Sequence, residues 1–511
     1  MKTPFSNPAV LRAVPGSGRV PVGRERLTFN YGPGTVPGRG LIDAALASQA
    51  GPTFATSPYA EPRDWGYLGL LAFTAVLLLR PQDQIPGLSS LHLAEICAVM
   101  GIAPMILHRV ARRQPVFRVT PETSGLVLFG LAILGTAPFS IWPGGALDVF
   151  MGNYLKILIV FVLMMNTLTT PRRLDRITWL ILVCCGYISA LAVINYARGT
   201  NLVENGRLAG PVSGIFGNPN DLALNMVTFL PAAVVIAITP RCRSGRRIAA
   251  AGIAALMLAT IVFTKSRGGM LGLSAALLAL VLLGRKVRTG FGAIAVAAVL
   301  VAMPLAPASF WARMSSILDE QQDRLQFTGS SEARRILMQE GIEAFLDRPF
   351  TGVGAGQFQN YNPPERRERW HETHNALIQV AAETGILGLV AFSFLIVCAA
   401  IGALATRRML TRRRRRSAPD PLQHVLREDD RQALYSHTVA MTAGLVGWFV
   451  CSLFASVAYN WTFYYLLALI VAGRELTRDR LVASRAIQAS GEKPLSVPAG
   501  DFSRRMAPGT A

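Results

Sequence analysis

The sequence predicts an all-α integral membrane protein of about 12 transmembrane helices, with one large helix-containing loop on its outer side. Three observations carry this. Hydrophobic residues make up 51% of the 511 positions and charged residues only 16%, where a soluble chain of this length carries about a quarter charged residues. Mean hydropathy is positive, and the apolar residues are grouped in runs near the roughly 20 that a span needs, with about 17 as the lower limit. Finally, the basic residues fall in short clusters between those runs.

Residues 1–63 are rich in Gly, Pro, Ser and Ala without a sustained apolar period, so they read as a disordered cytoplasmic tail. The first long apolar run begins at Trp65, and no signal peptide precedes it. By hydropathy the spans fall at 65–80, 92–108, 123–142, 153–169, 177–196, 221–239, 247–264, 269–284, 289–307, 384–405, 435–457 and 460–474. A membrane domain over 64–476 follows, with a second disordered tail at 477–511.

The arginines set the orientation. Arg109, Arg112, Arg113 and Arg118 follow the second span, and Arg172, Arg173 and Arg176 the fourth. Arg241, Arg243, Arg246 and Arg247 follow the sixth, while Arg285, Lys286 and Arg288 follow the eighth. Arg407, Arg408 and the run Arg412 to Arg416 follow the tenth, in a basic loop at 406–434. Every cluster follows an even-numbered span, which puts all of them, and both termini, on the cytoplasmic side. The same distribution explains the net charge of +21 without nucleic acid, because no cluster is interleaved with exposed aromatics. The six cysteines, Cys97, Cys184, Cys185, Cys242, Cys398 and Cys451, fall in spans or on the cytoplasmic side. They offer no external disulfide and no CxxC metal pair.

Four elements collect on the outer side. The long loop at 308–383 contains a helical stretch from Ser331 to Leu346, then the turn Gly352-Val353-Gly354-Ala355-Gly356. Spacings of four, four and three put Arg334, Met338, Ile342 and Phe345 on one face. Arg334 there either meets an anion or snorkels into headgroups, and Arg335 points to solvent. The second element is Arg207-Leu208-Ala209-Gly210 followed by GIFGNPND. Its Asn218-Pro219 step favours a turn, and Asn220 or Asp221 can cap the next helix, whose N-terminus suits phosphate; a plain capped span is the other reading. The third is Thr264-Lys265-Ser266-Arg267-Gly268-Gly269, where two basic residues stand on the side the positive-inside rule disfavours and the glycines admit a close ligand. Anchoring of Lys265 and Arg267 to lipid headgroups is the alternative. The fourth is His371-Glu372-Thr373-His374-Asn375. Its HxxH spacing lacks a third metal ligand, whereas a histidine beside arginines suits a general base. The shared chemistry is cationic (Arg207, Lys265, Arg267 and Arg334 with one titratable histidine), which suits phosphate oxygens.

RLAGPVSGIFGNPNDLA, FTKSRGGMLGL, EARRILMQEGIEAFLDRPFTGVGAGQF and HNALIQVAAETGILGLVAF together resemble the O-antigen ligase and polymerase superfamily over roughly residues 200 to 400. The resemblance implies a GT-C-type membrane glycosyltransferase of the bacterial inner membrane, with its large loop and active site periplasmic. Such an enzyme moves a glycan from an undecaprenyl diphosphate carrier to a glycan or lipid acceptor hydroxyl, without a metal or other cofactor. It places pyrophosphate binding on Arg207 and Arg267, with Arg334 a third and Lys265 beside them, and the general base on His374. His371 has no counterpart. Asn218, Asn220, Gly268, Gly269 and Asn375 would support these residues. Ligase, exopolysaccharide polymerase and protein O-oligosaccharyltransferase share this machinery and differ in the acceptor.

The rival from another class is a transporter of a sugar or small anion. Transporters place their polar site near the bilayer midplane on broken helices. Here the midplanes of most spans are apolar and the polar residues crowd one edge, which favours an enzyme at the interface. A scaffold gives no reason for cations on the outer side.

Overall fold

The computed structural model describes residues 64–203, 206–239, 242–284, 311, 330–361, 371–411 and 426–490. Its principal helices are α1 (Trp65–Leu79), α2 (Leu93–Ala111), α3 (Pro121–Thr136), α4 (Pro143–Thr167), α5 (Pro171–Ala197), α6 (Pro219–Ile238), α7 (Ser244–Phe263), α8 (Arg267–Leu283), α9 (Ser330–Asp347), α10 (Ala376–Thr411), α11 (Glu428–Ser452) and α12 (Trp461–Ser490). Eight of the described helices, α2 to α7 with α10 and α11, are long and apolar enough to cross a membrane. α8 is a shorter apolar helix. The chain is therefore an all-α, multi-pass membrane protein. The ninth expected span, 289–307, the N-terminal tail and the Arg412 to Arg416 run lie outside the described residues.

Helix starts are written in dipeptides. Thr120-Pro121, Thr170-Pro171 and Asn218-Pro219 each put a capping side chain before a proline at the first helical position. The cap oxygen takes a free N–H of the first turn, and the proline has no N–H to strand there. Hydroxyls inside the helices are absorbed locally, as where Thr74, Thr178 and Thr228 donate to carbonyls four residues back.

α6 is the central helix, with 78% of its apolar window buried, whereas α2 is 11% buried and faces outward. α6 packs on α7 and α11, α8 on α11, α3 on α10, and α1 on α2. Small residues permit the closest approaches, since bilayer helices associate by packing rather than by the hydrophobic effect. Gly444 sits against the Thr228 carbonyl, Gly447 against Val227 and Ala276, and Gly272 against Cys451.

Two differences from the sequence reading have physical causes. The span expected at 384–405 is part of a longer helix, α10, which begins at Ala376 and breaks at Gly385 (φ 64°, ψ −162°). A break inside a buried helix needs its freed backbone groups satisfied, and the segment around the glycine-rich turn does this. Val353 N–H donates to the Ala382 carbonyl (2.9 Å), Gly354 N–H to the Glu383 carbonyl (2.8 Å), and Ile386 N–H to the Pro349 carbonyl (2.7 Å). The Glu383 carboxylate takes Gly356 N–H at 2.9 Å. At the other terminus, α12 runs through Ser490, past the tail boundary expected at 477. Its Arg, Glu, Leu and Ala are good helix formers, Leu476 and Thr477 are buried, and Asp479 pairs with Arg118 at 2.7 Å.

The interior face of α9 also differs from expectation. Leu337, Gly341 and Ala344 are buried, while Ile342 is 48% exposed. Gly341 lies against Ile378 and Thr373 of the neighbouring segment. A face of small residues lets α9 lie close to α10, and that contact, rather than the bulkier Met338–Ile342–Phe345 stripe, sets its rotation. Arg335 is exposed, as expected.

Candidate functional site

Three helix N-termini meet at one end of the bundle, hereafter the loop end. Asn218 caps α6, its Oδ1 accepting the N–H groups of Asn220 and Asp221 at 2.9 Å each. Ser266 caps α8 through Gly269 N–H at 3.2 Å. Asn375 caps α10, accepting Leu377 and Ile378 N–H at 2.9 and 3.1 Å. Helix N-termini carry partial positive charge and favour anions.

Arg207 is delivered by a two-residue antiparallel hairpin, Leu202–Val203 against Arg207–Leu208. It is 6% exposed. Its Nε donates to the Thr264 carbonyl at 3.2 Å and its Nη2 to Asn220 Oδ1 at 2.8 Å. The same Asn220 oxygen accepts the Ser266 hydroxyl at 2.9 Å. The second and third sequence elements are thus one hydrogen-bonded unit. The loop that leads into Asn218 is itself pinned by Asp83, which accepts the Ser213 backbone N–H at 3.1 Å and lies 2.6 Å from Arg80.

His374 stands opposite. Its backbone is in the left-handed region (φ 51°) and donates N–H to Ser456 Oγ at 2.9 Å. Ser456 also meets Thr373 Oγ1 at 3.1 Å, and Asn375 Nδ2 reaches the Leu453 carbonyl at 3.3 Å. The α11–α12 connection therefore fastens the histidine in place. Lys265 shares the unusual backbone (φ 49°); non-glycine residues held there cluster at functional sites.

Arg207, Asn218, Asn220, Asp221, Gln359, His371, Glu372, His374 and Ser456 line one cavity of about 400 Å³. Burial, then the charges of Arg334, His371 and Arg207, push the His374 imidazole down to about 4. Arg334 is therefore near enough for its charge to act on His374. Burial raises the Glu372 carboxyl above its ordinary value. Lys265 is 5% exposed and lies beside Gly206, just before the hairpin's second strand. Arg267 opens α8. Neither lines the cavity.

Gly268 and Gly269 serve packing. Gly268 lies against Phe454 and Gly269 against Ala223, while Cys451 Sγ approaches the Gly268 carbonyl at 3.5 Å. These contacts press the start of α8 onto α6 and α11. Among the described residues no group of three or more His, Cys, Asp or Glu is placed to hold a metal ion.

A second cavity of about 250 Å³ adjoins the first and shares Gln359, Glu372 and Ser456 with it. Asn153, Gln379, Glu383, Tyr459 and Asn460 complete its polar lining. Burial and the neighbouring Glu383 carboxylate push the Tyr459 hydroxyl well above its ordinary value. Sequence reasoning named none of these second-cavity residues as a site residue. The available signal was that polar residues interrupt apolar stretches at Asn153, Ser456 and Asn460 and at Gln379 and Glu383 on α10. A larger cavity of about 780 Å³ opens near Arg172, Asp175, Arg246 and Asp429, and none of the expected site residues reaches it.

Residues 252–393 match the family model for O-antigen ligase. That stretch is similar to O-antigen ligases. The matched stretch holds Lys265, Arg267, Gly268, Gly269, Arg334, His374 and Asn375, while Arg207, Asn218 and Asn220 precede it. The matched stretch thus supplies the histidine side of the cavity, and the segment before it supplies the Arg207 side. No curated protein matches the chain.

Proposed function

We infer that this chain is a GT-C-type glycosyltransferase of the bacterial inner membrane, acting at the periplasmic face. It moves a glycan from undecaprenyl diphosphate to an acceptor hydroxyl, without a metal, as an O-antigen ligase or surface-polysaccharide polymerase. The observation that carries this reading is the 400 Å³ cavity in which Arg207 and the α6 N-terminus lie across from His374. The basic clusters at the other ends of the helices support a cytoplasmic assignment for that side and for both termini.

In this mechanism the diphosphate rests on Arg207 and the first turn of α6, with Arg334, Arg267 and Lys265 adding positive potential. Breaking the bond between the anomeric carbon and the phosphate oxygen sends its electron pair to the leaving diphosphate. Preorganised cations stabilise that charge far better in an enclosed site than in water. The acceptor oxygen bonds to the anomeric carbon from the opposite face, so the centre inverts. The acceptor's proton passes to His374, which is neutral at pH 7 because its pKa lies near 4.

The test is transfer by the purified chain from a synthetic undecaprenyl diphosphate oligosaccharide, in detergent with EDTA present. Lipid A core, a second lipid-linked repeat and a serine-containing peptide are offered as acceptors. Product from wild type but not from Arg207→Ala or His374→Ala is expected, and the acceptor consumed names the subclass. Undiminished transfer by His374→Ala would remove the base assignment. No product with any acceptor, together with uptake of sugar into reconstituted vesicles, would turn the reading to transport.

A further inference from the structure

The two adjoining cavities at the loop end differ in chemistry. The larger is lined by Arg207 and His371 and feels Arg334. Among the described residues the smaller has neither Lys nor Arg in its lining, which is built from the side-chain amides of Asn153, Gln359, Gln379 and Asn460, with Glu372, Glu383, Thr373, Ser456 and Tyr459. An anion has no favourable partner in such a lining, whereas neutral hydroxyl groups do.

The amides are half committed. Asn153 Nδ2 donates to the Tyr459 carbonyl at 2.6 Å, and Gln379 Oε1 accepts Ala458 N–H at 3.2 Å. Asn460 Oδ1 accepts Thr462 N–H at 3.1 Å, and Gln359 Nε2 donates to Glu372 Oε1 at 3.3 Å. Each bond fixes its side chain through one end. The other ends (Asn153 Oδ1, Gln379 Nε2, Asn460 Nδ2 and Gln359 Oε1) have no protein partner among the described residues. Two acceptors and two donors around one cavity match hydroxyls, each of which both donates and accepts. Asn153 also stands on a π-helical turn, Phe150–Tyr154, inside α4. Such turns occur frequently at functional sites.

We propose that the 250 Å³ cavity behind Glu372 is a subsite for one neutral pyranose ring of the glycan, held by Asn153, Gln359, Gln379 and Asn460. Its volume falls below the range of about 300–1,000 Å³ that takes drug-sized ligands, so it admits one ring rather than a chain. The proposal rests on the transferase reading for the biological source of the sugar, but not for the binding itself. The ring belongs either to the donor, next to its diphosphate, or to the acceptor. In both cases Glu372, Gln359 and Ser456, shared by the two cavities, stand between ring and diphosphate.

The experiment uses the full chain in nanodiscs and saturation-transfer NMR. The probes are the methyl glycosides of glucose, galactose, rhamnose and N-acetylglucosamine, with inorganic pyrophosphate measured separately by titration. At least one glycoside should receive saturation from wild type, and its binding should weaken about tenfold in Asn460→Leu and in Gln379→Leu, the worth of a lost hydrogen bond in an enclosed site. Pyrophosphate binding retained in both variants shows that they are folded. Absence of saturation transfer with every glycoside, or undiminished transfer in both variants, overturns the subsite. Glycoside binding lost in variants that melt like wild type, with no pyrophosphate binding by any form, keeps the subsite and removes the transferase reading. Preloading with an undecaprenyl diphosphate disaccharide separates the sources: displacement of the glycoside assigns the donor's ring, and joint binding assigns the acceptor's.

Discussion

Arg207 at the loop end and three arginines at the basic end are held differently. At the basic end guanidiniums meet carboxylates: Arg474 reaches the buried Glu122 at 2.5 and 2.7 Å, Arg246 reaches Asp175 at 2.8 Å, and Arg173 reaches Asp64 at 2.6 Å. Each pair joins two helices distant in sequence. At the loop end Arg207 donates to a carbonyl and an amide oxygen, and these bonds fix its direction. A cation that closes an ion pair holds the fold together. Arg207 lines the cavity where, in the proposed mechanism, the diphosphate arrives. The contrast makes a rule that mutation can break: loop-end changes should act on activity, and basic-end changes on stability.

The largest effect is expected at His374. His374→Ala should lower transfer by about 10²–10⁴-fold, the usual worth of a positioned general base, with thermal stability close to wild type. Arg207→Ala should cost about 10²–10³-fold, as does loss of one donor to a developing oxyanion. Arg207→Lys should recover little, since an ammonium cannot make the guanidinium's bonds to Thr264 and Asn220 together. Steady-state transfer with melting curves checks both. A loss of stability matching the loss of rate would show that Arg207 belongs with the structural arginines.

At the basic end, Glu122→Gln should cost about 3 kcal/mol of stability, near the low end for breaking a buried pair, because the amide still accepts one bond from Arg474. Donor affinity should be unchanged. Thermal unfolding beside pyrophosphate titration separates the two, and a shifted affinity with an unshifted melting temperature would contradict the rule.

The acidic limb of the rate profile sharpens the loop-end half. With its pKa near 4, His374 stays neutral as pH falls through 6.5, so transfer should hold until about pH 4 to 5. The linkage for folding has its own sign: the unfolded histidine, near 6.5, takes its proton first. This group's contribution is therefore complete above pH 6.5 and is lost between 6.5 and 4. Arg334→Gln removes one cause of the depression and should move the acidic limb upward. An unmoved limb would place Arg334 too far away to matter.

The sequence made the spans legible because run length and basic clusters are physical requirements of a bilayer. Arg207, Arg334 and His374 stood out because a charged or titratable residue beside an apolar run is conspicuous. The face of α9 was misphased because Gly341 and Ala344 are too small to stand out in a hydrophobic pattern, although smallness is what the contact needs. The break at Gly385 was hidden because its carbonyls are satisfied by a turn more than 25 residues earlier, a pairing that no local pattern encodes. The amide-lined cavity was illegible for a similar reason. Asn153, Gln359, Gln379 and Asn460 come from four separated segments, and a single neutral amide carries little signal until the fold assembles the set.

The smallest effect tests whether a capping residue at the loop end does more than cap. Asn375 accepts two N–H groups of α10 through Oδ1 and donates to the Leu453 carbonyl through Nδ2. Asn375→Ala removes both functions and should cost about 1 kcal/mol. Asn375→Asp keeps the acceptor, and its charge suits a helix N-terminus, so stability should largely return while the tether to Leu453 is lost. That tether joins the His374 segment to the α11–α12 connection, so in the Asp variant the histidine is held by Ser456 alone. A stable Asp variant with transfer reduced a few-fold would show that position, not folding, is what the second bond supplies. Wild-type transfer in that variant would mean that Ser456 suffices to hold His374.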